Sequence, residues 1–386
     1  MSGDKFMRGV PEAQKEPAEA SRRAIGLAGL GLLAQGVISA GLTGFVAPVA
    51  AMGDRPKSRP SLTPAPSTST STAPTPALAR PPIFVLNSLD ANVSIIDPVS
   101  YTEIRRVPTG KEPHHLYLSP DEKSLLVANA LSDSLTLLDP KTGAVQRVIE
   151  GIVDPYQLRF SPDMKWFLTA ANRLNHVDIY QSTPSPKGGV DLKLVKRVTT
   201  AKTPSHLNID SRSTVAYVTM QDSDEMVAIE LATQTILWRI RVGKMPADVY
   251  VTPDDRHVLI GLTGDRYVEV YDVSGPKPQL VKRIETGNGA HAFRSWGDKR
   301  HVLVSNRAGN SISRIDLQSW KVVANYPAPG GPDCMDLLAD GRTILVTSRW
   351  ARQLTVIDTV KGEVIKQVPV GRSPHGVWTL QHAPRN

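Results

Sequence analysis

Short apolar runs alternate with turn-forming residues from Thr109 to Val148. The runs read HHLYL, SLLVANA, SLTLLD and AVQRV, and the turns between them read SPDE, LSDS and PKTG. Four short runs separated by close turns predict four strands of one antiparallel sheet. A lone sheet cannot bury both of its faces, so this unit needs copies of itself to pack against.

Copies of the unit recur along the chain, as two independent positions show. The first position, which we name the lead residue, follows the proline that opens the first run, and the position after it is named the second residue. The lead residues are His114, Tyr156, Ser205, Ala247, His291, Asp333 and His375. The third runs end at Asp97, Asp139, Gln181, Glu230, Asp272, Asp316 and Asp358. Both series are spaced by 42 to 49 residues, and a period of about 40–45 residues with four strands predicts a β-propeller blade.

The two series are offset at the ends of the repeat region. The last unit has only its inner strand, in SPHGVWTL, and the first unit has only its outer three, PIFVLNS, NVSIID and TEIRRV. Pairing these pieces completes one blade. We therefore predict an all-β fold, a seven-bladed β-propeller of four-stranded antiparallel blades. The ring is closed by the N-terminal strands of the repeat region, which pair with its last strand.

The chain before the repeats divides into two segments. Residues 1–53 carry two adjacent arginines, followed by an uncharged stretch that ends in small residues. This arrangement predicts an export signal similar to a twin-arginine signal or, alternatively, a membrane anchor long enough to span a bilayer. Residues 54–81 are rich in Pro, Ser and Thr, which predicts a semi-extended linker, and residues 82–386 form the predicted propeller.

The composition is that of an ordinary globular protein, with 40% hydrophobic and 21% charged residues among 386. A net charge of +8 argues only weakly for acidic partners. Cys334 is the single cysteine, so the chain forms no internal disulfide. No phosphate-binding glycine loop, CxxC, CxxCH or Gly-x-Ser-x-Gly sequence is present. No basic stretch with interleaved aromatic residues supports nucleic-acid binding.

One repeat unit carries family-like sequence elements: V-S-I-I-D, P-V-S-Y-T, P-T-G-x-x-P-H, L-S-P-D and L-L-V-A-N. On these elements residues 82–380 resemble the YVTN-type β-propeller repeat, which includes the YncE-like periplasmic proteins. The resemblance implies the fold and leaves the function open, because this group contains binding proteins, surface proteins and proteins of unknown role. Related propellers carry haem or copper chemistry, and a DNA-binding role rests only on the resemblance and the net charge. The chain departs from the pattern at an insertion in blade 2 and at Ala290, which replaces the junction proline of blade 5.

One mouth of the central channel is the predicted functional site. In a four-stranded blade, the start of the inner strand lies at the same end as the loop between the second and third strands. The lead and second residues should therefore ring this mouth, surrounded by those loops, which we name the collar. Five of the nine histidines occupy these positions, and such mouths commonly bind ligands. The predicted ligand-binding residues are His114, His115, Tyr156, His206, Asp248, His291, Asp333 and His375, with the collar residues Arg266, Arg307 and Arg349.

These residue types allow several kinds of chemistry. Imidazoles with a carboxylate suit a divalent metal or a metallocofactor, whose predicted ligands are His114, His291, Asp333 and His375, with Cys334 as a soft ligand if it faces the channel. The histidines could also hold a ligand directly or act as acid and base. The arginines suit a carboxylate or a phosphate. Alternatively the histidines are structural and bond to neighbouring backbone, because a residue borne by a repeat is copied with it.

The sequence favours an exported, periplasmic binding or scaffold module that takes a small molecule or an envelope protein at this mouth. The alternative is a metal- or cofactor-dependent enzyme or cofactor-handling protein of oxidoreductase, lyase or lactonase type, using the histidines and Asp333. A third hypothesis is a surface protein that binds another protein through the collar. We expect a monomer that meets the membrane only through its N-terminal segment and does not bind nucleic acid.

Overall fold

A computed structural model of the chain describes residues 80–385. The predicted export signal at 1–53, the predicted linker at 54–81 except its last two residues, and Asn386 lie outside the described residues. Within residues 80–385 the helical structure is a single 3-10 turn, Gln221–Ser223. Nothing in this described part is a helix of the length and apolarity needed to cross a membrane.

Residues 80–385 form 28 strands, four for each of seven blades. The inner strands, in the order of blades 1 to 7, are β4 (Pro113–Leu118), β8 (Pro155–Phe160), β12 (Pro204–Ile209), β16 (Pro246–Val251), β20 (Ala290–Ser295), β24 (Pro332–Leu337) and β28 (Pro374–Thr379). The second strands are β5 (Leu125–Asn129), β9 (Trp166–Ala171), β13 (Val215–Met220), β17 (His257–Leu262), β21 (His301–Asn306), β25 (Thr343–Ser348) and β1 (Ile83–Asn87).

The remaining strands lie farther from the channel. The third strands, in the same blade order, are β6 (Ser134–Leu138), β10 (His176–Pro184), β14 (Glu225–Glu230), β18 (Tyr267–Asp272), β22 (Ser311–Asp316), β26 (Gln353–Asp358) and β2 (Asn92–Ile96). The outer strands are β7 (Val145–Glu150), β11 (Val190–Thr199), β15 (Thr235–Arg241), β19 (Gln279–Glu285), β23 (Lys321–Pro327), β27 (Glu363–Pro369) and β3 (Glu103–Pro108).

The predicted closure of the ring is confirmed. One sheet has the order β28-β1-β2-β3, in which β28 pairs antiparallel with β1, and Thr379 faces Ile83. The rings of Trp378 and Phe84 pack 5.8 Å apart across this junction. The seventh blade is therefore built from both ends of the repeat region, which leaves only short, protected sheet edges.

The core lies between neighbouring blades. The second and third strands are buried on both faces, as in the fully buried LLVAN of β5, and they read as continuous apolar runs. The outer strands are largely exposed, and TILWRIR of β15 alternates between exposed and half-buried positions. One apolar cluster, for example, joins Phe84 and Ile95 of blade 7 to Leu125 and Val127 of blade 1. Packing between blades, rather than within them, therefore holds the ring together.

Aspartates at the ends of third strands build tight turns. Asp97 Oδ1 accepts hydrogen bonds from the amide nitrogens of Val99 and Ser100 at 2.8 and 2.7 Å. Asp139 makes the same pair of bonds in blade 1. Gln181 does not end a strand, because the insertion in blade 2 extends β10 beyond it to Pro184.

A β-bulge at the lead residue recurs in all seven blades of the described chain. In blade 1, Pro113 pairs with Asn129 and Leu116 pairs with Val127, so that His114 and His115 together oppose one residue of β5. A regular strand would send these two side chains to opposite faces, whereas a bulge redirects them. The bulge is the local feature that brings the lead and second residues to the channel.

Candidate functional site

The lead residues with large side chains form a buried cluster at one end of the channel. His114, His291, Asp333 and His375 are at most 3% exposed. The His114 ring stacks between Tyr156 and His375, with centroid distances of 3.8 and 3.6 Å. Blades 1, 2, 5, 6 and 7 thus contribute one residue each to this cluster, which we name the histidine cluster.

Asp333 carries the negative charge of the histidine cluster. Its Oδ1 accepts a hydrogen bond of 2.7 Å from Arg307 Nη2, and its Oδ2 accepts one of 3.0 Å from Arg349 Nη1. His291 Nδ1 lies 3.1 Å from Asp333 Oδ1 without the alignment of a hydrogen bond. Burial alone would raise the pKa of Asp333, but the adjacent guanidinium groups of Arg307 and Arg349 hold that pKa well below its usual range. Asp333 is therefore an anion with two guanidinium partners.

One histidine, His375, has a hydrogen bond that fixes its tautomer. His375 Nδ1 lies 2.9 Å from the carbonyl oxygen of His114, which can only accept, so Nδ1 carries the proton. His206 Nδ1 lies 3.2 Å from Asp248 Oδ1. The bond from His375 agrees with the structural alternative predicted for these histidines. In His375 the Nε2 lone pair is left for another partner.

Five ring nitrogens of this region are buried and have no hydrogen-bond partner within residues 80–385. They are His114 Nδ1, His115 Nε2, His206 Nε2, His291 Nδ1 and His375 Nε2. Buried polar atoms are normally paired, because an unpaired one costs about 1–3 kcal/mol. So many unpaired nitrogens in one place indicate a site for a ligand.

Most of the histidines of this region are neutral at pH 7. Burial lowers the pKa of His114 and His115 well below the usual value, and the neighbouring His375 lowers both further. Burial and Arg307 lower the pKa of His291, and burial lowers the pKa of His375 to about 3. A neutral imidazole offers a lone pair to a metal or a hydrogen-bond donor.

The second residues form a layer beneath the histidine cluster and line a cavity of about 630 Å³. Gln157 Oε1 accepts a hydrogen bond from Leu207 N, and Asp248 Oδ2 accepts one from Phe293 N, so these side chains also join neighbouring blades. All seven second residues line the cavity: His115, Gln157, His206, Asp248, Ala292, Cys334 and Gly376.

Gly376 and Cys334 adjoin His375 within this layer. A Cβ at Gly376 would lie 3.0 Å from the His114 carbonyl oxygen, so glycine permits the approach of blades 7 and 1 that the His375 bond needs. Cys334 Sγ lies 3.5 Å from His375 Nδ1 and lines the cavity. Burial, together with Asp333, raises the pKa of the Cys334 thiol well above its usual value. Cys334 therefore faces the channel as a neutral thiol.

The cavity extends from the second residues toward the opposite end of the propeller. There it reaches exposed turns between first and second strands, lined by Met164, Ser211 and Lys299. Within residues 80–385 no lead residue lines it. The histidine cluster thus closes the cavity at the collar end.

Sequence reasoning missed the side chains farther down the cavity wall. Every second residue along an inner strand faces the same side, so counting two positions beyond the second residues would have found them. They are Tyr117, Arg159, Asn208, Tyr250 and Arg294. At this end of the cavity Asp336 accepts hydrogen bonds from Arg294 and Arg385. Arg294 also donates a hydrogen bond to the carbonyl oxygen of Ala383.

The predicted arginines divide into two groups. Arg307 and Arg349 reach the histidine cluster through Asp333, and Arg307 Nη2 also lies 2.5 Å from His291 Nε2. Arg266 is 71% exposed on its side chain and lies 3.9 Å from Glu285. Among the predicted ligand-binding residues, the structure therefore leaves Arg266 on the surface and brings the others to the cluster or the layer beneath it.

Comparison with known proteins places this fold among relatives. Residues 50–385 match the YNCE-like beta-propeller family. Two curated relatives, both named uncharacterized protein YncE and found in Salmonella typhi and Salmonella typhimurium, are 25% identical over 151 residues. The match covers 38% of this chain and 42% of each relative. It therefore spans less than half of the length of those relatives.

Solved structures share the architecture at low identity. The Pseudomonas aeruginosa periplasmic gluconolactonase PpgL has a TM-score of 0.66 and 17% identity, and the match covers 80% of this chain and 100% of that chain. The dihydro-heme d1 dehydrogenase NirN, in complex with DHE, has a TM-score of 0.57 and 19% identity, with 78% of this chain and 75% of that chain covered. At these identities the likeness extends to the fold alone.

Proposed function

The chain belongs to the YNCE-like β-propeller family, and from that premise we propose that it is an exported binding module for a small anionic molecule. The ligand occupies the central cavity, with one end against the second residues. One observation carries the proposal: a cavity of about 630 Å³ ends at a layer containing His115 and His206, whose Nε2 atoms are buried and unpaired within residues 80–385. Pockets of this size with a few convergent polar groups are typical ligand sites.

The charge of the cavity wall supports an anionic ligand. Arg159 lines the cavity, donates from Nε to the Leu207 carbonyl oxygen at 3.1 Å, and has no carboxylate partner in the described part of the chain. Its remaining N–H groups suit a carboxylate or a phosphate. The aromatic side chains of Tyr117, Tyr250 and Phe293 line the same wall and offer apolar contact area.

Export to the periplasm is part of this proposal. It rests on the two arginines and the uncharged stretch within residues 1–53. The alternative of a metal- or cofactor-dependent enzyme stays a prediction, because the named enzymes share only the fold with this chain.

Native mass spectrometry of the full chain, purified after export in its own host, tests this function. We expect a co-purified small molecule, or thermal stabilisation by members of a panel of carboxylates and phosphate esters. The cavity-filling variant Ala292→Phe should abolish both, whereas Ala232→Phe, the same change at an exposed turn, should preserve them. Arg159→Met should weaken the binding of the anionic compounds in the panel about tenfold or more, which corresponds to the loss of one charge-assisted hydrogen bond. Binding that survives Ala292→Phe would contradict the assignment to the cavity.

A further inference from the structure

The two layers at the closed end of the channel hold two sets of possible metal ligands. One set is His114, His115 and His375, and the other is His291, Asp333 and His375. In each set one ligand atom from every residue lies within 4.8 Å of the others. The two sets share His375, so His375 can bind an ion in only one of the two sets at a time.

The three-histidine set has lone pairs ready for a ligand. His114 Nδ1, His115 Nε2 and His375 Nε2 are buried and unpaired within residues 80–385. The bond from His375 Nδ1 to the His114 carbonyl oxygen fixes the tautomer that leaves Nε2 free. Metal-binding histidines typically donate their other ring N–H to a carbonyl or carboxylate in this way.

The set that contains Asp333 is occupied by guanidinium groups. Arg307 Nη2 lies 2.5 Å from His291 Nε2 and 2.7 Å from Asp333 Oδ1, and Arg349 holds the other oxygen. A cation bound there would displace these bonds and lie next to fixed positive charge. The predicted ligands His291 and Asp333 are therefore poorer candidates than His115, which sequence reasoning placed only among the ligand-binding residues.

We propose that His114, His115 and His375 bind a divalent ion of the zinc and copper class through three imidazole nitrogens. Neutral imidazole is a preferred ligand of Zn²⁺ and Cu²⁺ and a poor one for Mg²⁺ or Ca²⁺. Zinc–nitrogen bonds of about 2.0–2.1 Å require the three nitrogens to approach one another by ring rotation.

The position of this ion links the histidine cluster to the cavity. His115 lines the cavity, whereas His114 and His375 close it. Three protein ligands leave a fourth coordination position for water or for an anionic group from the cavity. The proposal does not depend on the cavity ligand, since the ion binds to protein atoms alone.

Metal titration of the full chain, freed of metal with a chelator, tests the proposal. We expect one equivalent of Zn²⁺ to bind in competition with a chromophoric chelator, and one equivalent of Co²⁺ to give visible d–d absorption bands. Mg²⁺ should not compete. His115→Ala should weaken Zn²⁺ binding at least about 100-fold, because it removes a metal ligand. This effect is larger than that of losing an outer-sphere partner. Of the three ligand substitutions, His115→Ala disturbs the buried layer least.

Two further variants decide between the sets. His291→Ala should retain Zn²⁺ binding. His257→Ala, at a half-buried histidine that packs against Trp320 rather than in either metal-ligand set, serves as the control for loss of a histidine. Binding that is lost in His291→Ala and kept in His115→Ala would overturn the assignment in favour of the set with Asp333. A wild-type chain that fails to bind Zn²⁺, Co²⁺ or Cu²⁺ stoichiometrically would overturn the metal site altogether, whatever the cavity binds.

Discussion

Two regions of each blade are copied by the same repeat and have diverged differently. The turn after the third strand keeps aspartate in five of seven blades, at positions 97, 139, 272, 316 and 358. The lead position keeps its β-bulge in all seven blades of the described chain but carries histidine, tyrosine, serine, alanine or aspartate. The turn preserves a residue type, whereas the channel preserves only a backbone shape.

The difference follows from what each region requires. In the turn, Oδ1 of Asp97 itself accepts hydrogen bonds from the backbone amides, so a residue type without a side-chain oxygen at this place would leave them unpaired. At the lead position, the bulge presents whatever side chain the residue carries, so residues from five different blades build one asymmetric cluster. Positions that keep one residue type in the repeats therefore indicate the fold. Positions whose residue type varies on a repeated backbone shape indicate the functional site.

Asp333→Asn should produce the largest loss of stability in this comparison. The variant keeps the shape but leaves Arg307 and Arg349 without their counter-ion in a buried site. Removing one partner of such a network costs about 3 kcal/mol of unfolding free energy. Urea denaturation measures this loss. A smaller loss than that caused by Asp97→Ala would break the distinction between channel and turn.

The free energy of unfolding should fall as the pH falls from about 6.5 toward 3. Burial holds the pKa of His375 at about 3 and lowers those of His114, His115 and His291. The unfolded chain, with histidine pKa values near 6.5, therefore takes up protons first, and each buried histidine costs ~1.4 kcal/mol per pH unit.

Urea denaturation at pH 7, 6 and 5 checks this slope and its origin in the channel. His115→Gln should make the slope shallower than that of the wild type, and His257→Gln, at a half-buried position outside the histidine cluster and the layer beneath it, provides the control for loss of a histidine. A free energy of unfolding that stays constant between pH 7 and 5 would show that the buried histidines accept protons in the folded chain.

Asp97→Ala should cost about 1 kcal/mol, because it removes the acceptor of two backbone N–H groups in a partly exposed turn. Thermal and urea unfolding measure this effect. Asp97→Asn keeps an Oδ1 acceptor and should recover most of the loss. Equal losses in both variants would assign the effect to the charge rather than to the hydrogen bonds.

Arg256→Met should have the smallest effect, about 0.5 kcal/mol or less. The Arg256 side chain is 60% exposed, and it donates a hydrogen bond of 3.2 Å to Asp272 at the end of the third strand of blade 4. Arg349→Met, which removes a partner of buried Asp333, is the matched variant in the channel and should cost clearly more. Comparing the two in low and high salt checks the difference, because salt should weaken only the exposed pair.

Much of the site could be read from the sequence because the repeat fixes its positions. The seven lead residues, the loops around them and the concentration of histidines follow from counting along the chain. The division of these residues into two layers did not follow from the sequence. His115 and Cys334 belong to the layer that lines the cavity, and His114 and His375 belong to the layer that closes it. The partners of Arg307 also had to come from the structure, because they lie on two different blades.

The sequence by itself determined the number of blades, the closure of the ring and the turns, because these depend on local patterns repeated at a fixed spacing. Only the tertiary structure decided where the cavity lies and which nitrogens stay unpaired. Those properties depend on contacts between strands more than 40 residues apart, such as the bond from His375 to the His114 carbonyl oxygen. Such contacts are set by how seven bulged strands converge on one axis.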